Sequence, residues 1–394
     1  MEQSGFTSTK GKLIRSEDGR YYSFVPAYLP VELDYDDELI RLLSNASEKL
    51  GELKSLGIGL EGNIGFAPGL FIRPYLRREA VLSSKIENTM STLHEVLEAE
   101  ELKQFKDEGL RGDLFEVLNY TRAQDLGIKM INEGSAINTD FITKLHSILL
   151  RHVRGEGAKP GALRDRQNWI SKAGFPDIRD AVYVPPPANV VPDLLSNLFN
   201  YMESSDDPQL IKIALMHYQF EAIHPFWDGN GRIGRLLIIM YMIKSGVLVQ
   251  PFLYMSDYFE RNRNLYYSLL LDVSETGNYA DWIKFFLRGV IEQSDSVMSK
   301  TKALLSYYSE VKGKLGNAAK GSAARLAEHL FTHPIITIPS AARALKLSYP
   351  SVKKSAEKLV NLGILQKYER NIPSAVRRRP MVFVARKIME IYDA

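Results

Sequence analysis

The chain has 394 residues, no cysteine and a formal net charge of +3. This length exceeds what one compact domain usually holds, so two or three domains are expected. Without cysteine the chain cannot form a disulfide framework, a thiolate zinc site or a cysteine nucleophile, which favours a reducing compartment.

The first twelve residues lack the apolar core of a signal peptide, and the longest apolar run, 236–243, is far shorter than a bilayer span. We therefore expect a soluble, cytoplasmic protein that does not enter a membrane.

Charge is uneven along the chain. Residues 301–394 hold 17 Lys and Arg against 6 Asp and Glu, a net +11, and the rest holds 33 against 41, a net −8. Nucleic acid is thus a candidate partner for the basic C-terminal part alone.

Apolar residues recur at three- and four-residue spacing along most of the chain, so a mainly α fold is expected. The predicted helices are 36–55, 79–105, 112–132, 138–153, 190–204, 208–222, 230–245, 256–274 and 278–299. Gly and Pro content predicts a loop at 62–69. Residues 169–175 and 181–187 interrupt the helices and predict a small hairpin with an unpaired edge.

The composition changes near residue 300. The polar, Gly- and Ala-rich stretch after it predicts a connector at 301–322. Beyond the connector, the pattern predicts, in order, helix 323–331, strand 335–338, helices 339–346 and 350–361, and strands in 364–368 and 381–385. This order is that of a winged helix-turn-helix domain. The predicted domains are an N-terminal helical region 1–110, a core 111–300, and a winged helix-turn-helix domain 323–394 after the connector.

The stretch with the most chemistry is HPFWDGNGRIGR, residues 224–235. His224 precedes a proline, so the helix before it should end there and leave the imidazole at the mouth of a loop. Gly229, Asn230 and Gly231 lead into the next helix. Because helix N-termini attract anions and glycines allow close approach, this loop is predicted to hold phosphate.

The charged side chains of the same stretch fit the chemistry of phosphate groups. Arg232 and Arg235 are three residues apart, so they share a helix face and can grip further phosphates. Asp228 is a hard oxygen ligand that suits Mg²⁺. His224 titrates near neutrality and suits a general base. Together these groups predict nucleotidyl or phosphoryl transfer, driven by positioning and electrostatics.

The stretch matches HxFx(D/E)GN(G/K)RxxR at every defined position, and by this motif the chain resembles the Fic family. Further matching segments lie at 160–170, 182–195 and 258–270, typical of Fic proteins with a C-terminal winged helix. The resemblance implies a helical core with a β-hairpin flap that aligns a target by main-chain pairing. It also implies transfer of AMP from ATP to a Ser, Thr or Tyr hydroxyl of a target protein.

Site roles follow from the same resemblance, position by position. His224 is implied as the base and Asp228 as the Mg²⁺ ligand, while Phe226 packs below the loop. Gly229, Asn230 and Gly231 are implied to hold the α- and β-phosphates. Arg232 is implied to contact the nucleotide phosphates, and Arg235 the γ-phosphate.

A second Fic feature, the inhibitory motif (S/T)xxxE(G/N), fits residues 83–88, with Ser83 and Glu87 one turn apart on a helix at about 79–97. The resemblance implies that Glu87 pairs with Arg235 and occupies the fork that should hold the γ-phosphate. ATP would then bind in a posture unfit for attack. The chain thus resembles the class with an internal N-terminal inhibitor.

Other residues and functions remain open. Tyr267 lies in an apolar helical stripe, which predicts core packing, and it is also a candidate for the adenine pocket. His146 is predicted as a packed helix residue, and the His spacing predicts no zinc site. The arginines 377–379 fit either a solvated wing or a phosphate contact.

Two further functions stay open beside an inhibited AMP transferase. Glu87 could position water to remove AMP from modified proteins, or the chain could be a DNA-binding regulator with a nucleotide-sensing core. The regulator would bind duplex DNA through 350–361 and the wing 365–384, in a salt-dependent way. A homodimer and modification of its own chain are also expected from the resemblance.

Overall fold

The structure is a computed structural model, and it describes residues 5–62, 72–102, 112–151, 159–171, 177–316, 321–368 and 381–393. It divides into two compact units, each built from several segments. The first unit comprises Met1–Lys54, Leu82–Asn88 and Asn119–Ser294. The second comprises Ser55–Val81, Thr89–Leu118 and Asp295–Ala394. The contiguous domain boundaries expected from the sequence stay a prediction.

The described residues are predominantly helical, which confirms the expected fold class. The helices are α1 Asp37–Gly62, α2 Ile72–Ile86, α3 Leu93–Glu101, α4 Gly112–Asn132, α5 Thr139–Leu149, α6 Val191–Ser204, α7 Gln209–Ile223, α8 Asn230–Lys244, α9 Ser256–Arg261, α10 Arg263–Thr276, α11 Tyr279–Leu315, α12 Ser322–Thr332, α13 Ile338–Leu345, α14 Tyr349–Asn361 and α15 Arg386–Asp393. The strands are β1 Gly11–Arg15, β2 Tyr22–Pro26, β3 Ile170–Ser171, β4 Ala181–Tyr183, β5 Ile335–Thr337, β6 Gln366–Tyr368 and β7 Val382–Val384.

Helices α7 and α8 form the centre of the first unit and pack against each other. Both are buried on nearly all sides, as expected for helices that are apolar around their whole circumference. Trp282 of α11 is fully buried beside them and donates its indole N–H to the Ala214 carbonyl at 2.8 Å. The loop between α7 and α8 holds residues 224–229, so the two most buried helices of this unit fix both of its ends.

Two antiparallel hairpins belong to the first unit. Strands β3 and β4 form the hairpin expected at 169–175 and 181–187, with an irregular register at Ile170 and Ser171. Residues 172–176 of that expectation lie outside the described part of the chain. Tyr183 of β4 donates its hydroxyl to the Ala222 carbonyl at 2.9 Å, which ties the hairpin to the end of α7. The other hairpin, β1 with β2, was not expected from the sequence.

The C-terminal part of the second unit follows the expected order of elements. Helices α12, α13 and α14 alternate with a three-stranded antiparallel sheet of order β5-β7-β6. Helix α15, which the sequence analysis did not predict, ends the series. Much of the link between β6 and β7, including residues 377–379, lies outside the described residues. The winged helix-turn-helix assignment itself stays a prediction.

The helix expected over 79–105, with its inhibitory part at about 79–97, is a wrong prediction. Helix α2 ends at Ile86, and α3 begins only at Leu93. Asn88 has φ 69°, a left-handed conformation that stops a helix. Thr92 then caps α3 through a reciprocal capping box with Glu95, so two new helix ends replace one continuous helix.

Two other expectations are corrected. The helix expected over 256–274 is broken at Asn262 into α9 and α10. In the opposite sense, α11 continues to Leu315, so 301–315 is helical where a connector was expected. The buried side chains of Leu304, Tyr308, Val311 and Leu315 recur at helical spacing and hold this stretch in the helix.

No described helix is both long enough and apolar enough to cross a membrane. The loop expected at 62–69 lies, except for Gly62 at the end of α1, outside the described residues.

Candidate active site

His224 stands at the C-terminal end of α7 in a left-handed conformation, with φ 49° and ψ 60°. Few residues other than glycine adopt these angles without strain, and such strain is common at functional sites. Its backbone N–H still donates to the Phe220 carbonyl at 3.0 Å and closes the helix. The turn therefore projects the imidazole out of the helix and into the cavity described below.

The hydrogen bonding of His224 fixes which ring nitrogen is a base. Its Nδ1 lies 3.3 Å from the Glu221 carbonyl, which can only accept, so Nδ1 carries the proton and Nε2 keeps its lone pair. Burial, assisted by the nearby Arg164 guanidinium, lowers the pKa of His224 to about 4. At neutral pH the side chain is thus a neutral imidazole that can accept a proton at Nε2.

Arg164 holds the end of α7 in place. Its Nε donates to the His224 carbonyl at 2.9 Å, and its terminal nitrogen donates to the Pro186 and Ile223 carbonyls at 2.5 and 3.3 Å. Its backbone N–H donates to the Pro225 carbonyl at 2.9 Å. Burial lowers the pKa of Arg164 to about 10, which still leaves it charged at the negative end of the helix dipole.

The side chain of Asn230 holds the loop rather than facing the cavity. Its Oδ1 accepts the Phe226 N–H at 2.8 Å, and its Nδ2 donates to the Phe226 carbonyl at 2.9 Å. Asn168 donates to the same carbonyl at 2.9 Å. The Asn230 amide is thus engaged with Phe226 through both its oxygen and its nitrogen, and the residue's backbone N–H remains available at the start of α8.

His146 of α5 supports the loop from the other side. Its ring stacks on Phe226 with centroids 3.8 Å apart. The Gly161 N–H donates to Nδ1 at 2.9 Å, which leaves Nε2–H to donate to the Asp228 carbonyl at 3.0 Å. Burial lowers the pKa of His146 to about 4, so this neutral tautomer persists at neutral pH.

Replacing His146 with phenylalanine is expected to lower the free energy of unfolding by about 2–3 kcal/mol. The stack on Phe226 would remain, but the Gly161 N–H and the Asp228 carbonyl would lose their partners in a partly buried site. Urea unfolding measures the change. His146→Gln, whose amide can both donate and accept, is the matched control and should lose less. Equal losses in both variants would contradict this account.

Helix α8 supplies an anion site at its N-terminus. Its first intrahelical bond runs from Ile233 N–H to the Gly229 carbonyl, so the N–H groups of Asn230, Gly231 and Arg232 precede it. Gly229 reaches the required geometry with φ 77°. The Arg232 side chain is buried, and its terminal nitrogen lies 3.5 Å from Asp228 Oδ1. The backbone and side chains together favour phosphate here.

Arg235, the second arginine of the motif, is already paired with a carboxylate. One terminal nitrogen of Arg235 lies 2.8 Å from Glu87 Oε1 and 2.9 Å from the Ser83 carbonyl, and its Nε donates to Ser83 Oγ at 2.8 Å. Only 1% of the Arg235 side chain is exposed, against 33% for Glu87. Burial opposes the charge of Glu87, but Arg235 nearby holds the pKa of this carboxyl below its usual range. The pair is therefore ionised.

Two further contacts hold the segment that carries Glu87. Arg263, the first residue of α10, donates to Asn88 Oδ1 at 2.8 Å. Lys85 pairs with Glu260 at 2.9 Å. These bonds lie on either side of Glu87 in the sequence, so the acid is fixed at both flanks.

A cavity of about 690 Å³ is lined by some of these groups. Its lining includes His224, Gly231, Arg235 and Glu87 on one side and aromatic side chains of α10 on another, among them Tyr267. It belongs to the first unit.

Comparison with known proteins gives the family. The model described as the Fic/DOC family matches residues 136–242, and the model of the Fic/DOC family N-terminal region matches residues 40–129. The chain belongs to the Fic/DOC family. The resemblance expected from the sequence is thereby confirmed.

Fic relatives with assigned names match part of the chain. A probable protein adenylyltransferase from Aquifex aeolicus is 36% identical over 96 residues, 24% of this chain and 28% of that protein. The protein adenylyltransferase Fic of Nematostella vectensis is 29% identical over 178 residues, 44% of this chain and 36% of that protein. The matches thus span about a third of each relative's length.

The Fic fold is also found in a solved structure. A crystal structure of a Fic family protein from Desulfovibrio desulfuricans aligns with a TM-score of 0.53 at 19% identity, covering 90% of this chain and 97% of that one. At this identity the likeness concerns the fold alone.

Only some of the residues expected at the Fic site line the cavity, and their roles stay predictions; Ser83, Asp228, Gly229, Asn230 and Arg232 are not among the lining residues. His224, Gly231, Arg235, Glu87 and Tyr267 line one cavity. Phe226 lies fully buried under the loop, as expected. Tyr267 is 41% exposed, which does not fit the core packing considered for it.

Sequence reasoning missed two residues of this Fic site. Arg164 lies in the matching segment 160–170 but was predicted no role; the signal for it is that the carbonyl groups at the end of α7 need a donor. His146 was expected to pack in its helix. It does, but its two hydrogen bonds to loops were not visible in any local pattern.

Proposed function

We propose that the chain is a nucleotidyltransferase, a protein adenylyltransferase that moves AMP from ATP to a Ser, Thr or Tyr hydroxyl of a target protein. The observation that carries this proposal is the basic Nε2 of His224, which lines the same cavity as the Gly231 end of the anion site. The names of the Fic relatives support the same reaction for those proteins.

In the proposed reaction, His224 Nε2 takes the proton of the target hydroxyl as its oxygen attacks the α-phosphorus. A new bond forms between that oxygen and the phosphorus, and the bond to the β-phosphate oxygen breaks. Pyrophosphate leaves with the negative charge, which the first N–H groups of α8 and the Arg232 guanidinium stabilise. The imidazolium then returns its proton to solvent. The contacts of Arg164 and Glu221 keep the ring in position throughout.

Mg²⁺ fits the loop as an ion held largely by the nucleotide. The Asp228 side chain is 47% exposed, and its Oδ1 accepts the Gly229 N–H at 2.6 Å. Within the described part of the chain, no group of three His, Asp or Glu side chains could hold a metal by itself. Mg²⁺ commonly binds one carboxylate, phosphate oxygens and water, so Asp228 suffices. The ion would neutralise phosphate charge when bound.

Glu87 makes the enzyme auto-inhibited in this proposal. Its carboxylate occupies the Arg235 fork, which is the group expected to bind the terminal phosphate. A triphosphate can then enter the cavity only with its tail displaced, which misaligns the α-phosphate for attack.

The decisive experiment is mass spectrometry of the Glu87→Gly variant after incubation with ATP, Mg²⁺ and a bacterial lysate. A mass gain of one AMP on a target or on the chain itself supports the proposal, including self-modification. The variant that also carries His224→Ala serves as the control and should show no adduct. Absence of any adduct in Glu87→Gly would contradict AMP transfer.

The pH dependence offers an independent test of the base. Because burial holds the pKa of His224 near 4, the imidazole is neutral above that value and protonated below it. At saturating ATP, transfer by Glu87→Gly is therefore expected to stay constant between about pH 6 and pH 8 and to fall only towards pH 4. Single-turnover rates measure this. A midpoint near 6.5 would contradict the assignment.

AMP removal is a second candidate, favoured by the position of Glu87 in the cavity of His224. A carboxylate there could orient water towards a modified hydroxyl. Incubating the wild type and Glu87→Gly with a pre-modified target separates the reactions, because removal requires Glu87 and transfer does not.

The C-terminal elements support a further proposal, a winged helix-turn-helix domain that binds duplex DNA. Helix α14 presents exposed lysines 353, 354 and 358. Salt-dependent fluorescence anisotropy with a DNA duplex tests it, and a charge-reversed α14 should bind more weakly. Homodimer formation stays a prediction, which sedimentation analysis can test.

A further inference from the structure

A third carboxyl group lines the cavity and has no role so far. Glu221 lies on α7, one turn before His224, and its side chain contributes to the cavity wall. Its Oε1 is inaccessible to solvent and has no hydrogen-bond partner among the described residues. A buried polar atom without a partner destabilises a protein, and most of all when it carries charge, so this environment favours the neutral carboxyl group, while the residue itself still lines the cavity.

Two glycines on α8 leave room for the two carboxyl groups of the cavity. A side chain on Gly234 would collide with Glu221 Oε1. One turn earlier, a side chain on Gly231 would lie 2.6 Å from Glu87 Oε1 and 2.9 Å from an Arg235 nitrogen. The two carboxyl groups therefore approach neighbouring turns of one helix, close to the same guanidinium.

Burial keeps Glu221 protonated, and the charges that face it act in opposite directions. Burial raises its pKa to about 8, Arg235 lowers it and Glu87 raises it. Tyr266 and Tyr267 of α10 also face this carboxyl, and burial raises the pKa of each, so both are neutral at the same pH. At neutral pH the cluster thus holds one cation, one carboxylate and one neutral acid.

We propose that Glu221, in its protonated form, is part of the binding site for the terminal phosphates of a nucleoside triphosphate. It would donate its O–H to the anion that replaces Glu87 at Arg235. This inference rests on the proposed function, since it takes the triphosphate as the ligand of the cavity.

The neutral state is essential to this role. A protonated carboxyl donates to a phosphate oxygen, whereas an ionised one repels phosphate and competes with it for Arg235. Because the bound phosphate raises the pKa further, binding takes place with the proton retained. Affinity is then constant at pH values below the pKa of the free site and falls as the pH rises above it.

The test is a binding measurement by calorimetry with α,β-methylene-ATP, which cannot transfer AMP, in the Glu87→Gly background. Affinity should fall about tenfold or more from about pH 7 to about pH 9. AMP, which lacks the terminal phosphates, is the control ligand and should show no such fall. The pKa values of His224, about 4, Arg164, about 10, and Tyr267, about 12, lie outside this range.

Two substitutions added to this background make the result specific. Glu221→Gln has the same shape and a permanent N–H donor, so affinity should become equal at both pH values. Glu221→Leu has no donor and should bind the triphosphate about tenfold more weakly than Glu221→Gln at both. Thermal unfolding checks that each variant is folded.

The opposite outcomes are equally clear. A pH dependence that persists in Glu221→Gln, or equal affinities of the Gln and Leu variants, would overturn the inference. Because no transfer is needed, a chain that binds as expected but never transfers AMP would contradict the proposed function alone. A chain that transfers AMP with no effect of Glu221 on binding would contradict this inference alone.

Discussion

Alanine at His224, introduced into the Glu87→Gly variant, is expected to reduce AMP transfer by about a hundred- to ten-thousand-fold. The structure gives the reason. The imidazole is neutral, its Nδ1 is bound to the Glu221 carbonyl, and Nε2 remains to take the hydroxyl proton. Without it, the proton has to pass to water during the attack. Initial rates with labelled ATP and a fixed amount of target measure the loss.

The control for this variant is nucleotide binding. In the proposed function the phosphate contacts come from the α8 N-terminus and from Arg232 and Arg235, so the affinity for α,β-methylene-ATP should change little. A loss of binding as large as the loss of rate would mean that His224 holds the loop rather than the proton. Transfer above a tenth of the parent rate would contradict its role as the base.

Glycine at Glu87 is expected to raise AMP transfer about 5- to 150-fold over the wild type, the range typical of a coupling of 1–3 kcal/mol between two sites. The substitution frees the Arg235 fork and leaves a buried guanidinium without its carboxylate. A terminal phosphate can then take the same position. Parallel rate measurements on the two proteins at saturating ATP give the ratio.

Glu133→Gly is a matched control for this substitution. Glu133 also stands one residue past a helix end and pairs with a basic residue, Lys129, at 3.7 Å, but the pair is exposed. It should leave transfer unchanged. ATP should also raise the melting temperature of Glu87→Gly more than that of the wild type, because it restores a partner to Arg235. Unchanged transfer in Glu87→Gly would contradict the inhibitory role of this residue.

The central loop could be predicted from the sequence because its information is local. Twelve consecutive residues contain the proposed base, the glycines and both arginines, and a proline fixes where α7 ends. Asn230 is the exception. An asparagine here suits a phosphate contact and a hydrogen bond that closes the loop equally well. Only the folded loop shows that the Asn230 amide bonds to the backbone of Phe226.

The helix ends near the inhibitory segment were missed although their signals were present. Asn88 can adopt left-handed angles, and Thr92 with Glu95 has the spacing of a capping box. Both signals were outweighed by the apolar periodicity of 79–105. Two helices whose apolar residues are in the same phase give the same pattern as one long helix. The β1-β2 hairpin also has a local signal that was missed, the Asp18-Gly19 turn between its strands.

Other residues could not be found by local reasoning at all. His146 meets its loop partners 15 and 82 positions away, and Arg164 reaches carbonyl groups 22 to 60 positions away. Neither the residue type nor the neighbouring sequence of a histidine or an arginine indicates such distant contacts. Glu221 is similar, because its neutral state depends on burial that only the packed helices create.

The acid that blocks Arg235 stands at a helix end, since α2 ends at Ile86 and Glu87 follows it. Helix ends fray on their own, at a free energy far below that of global unfolding. Under the proposed function, leaving the inhibited state therefore requires this one turn to open, with loss of the bonds from Glu87 to Arg235, from Asn88 to Arg263 and from Lys85 to Glu260. We then expect the speed of activation to equal a local opening rate, which hydrogen exchange at the amides of residues 84–88 would report directly.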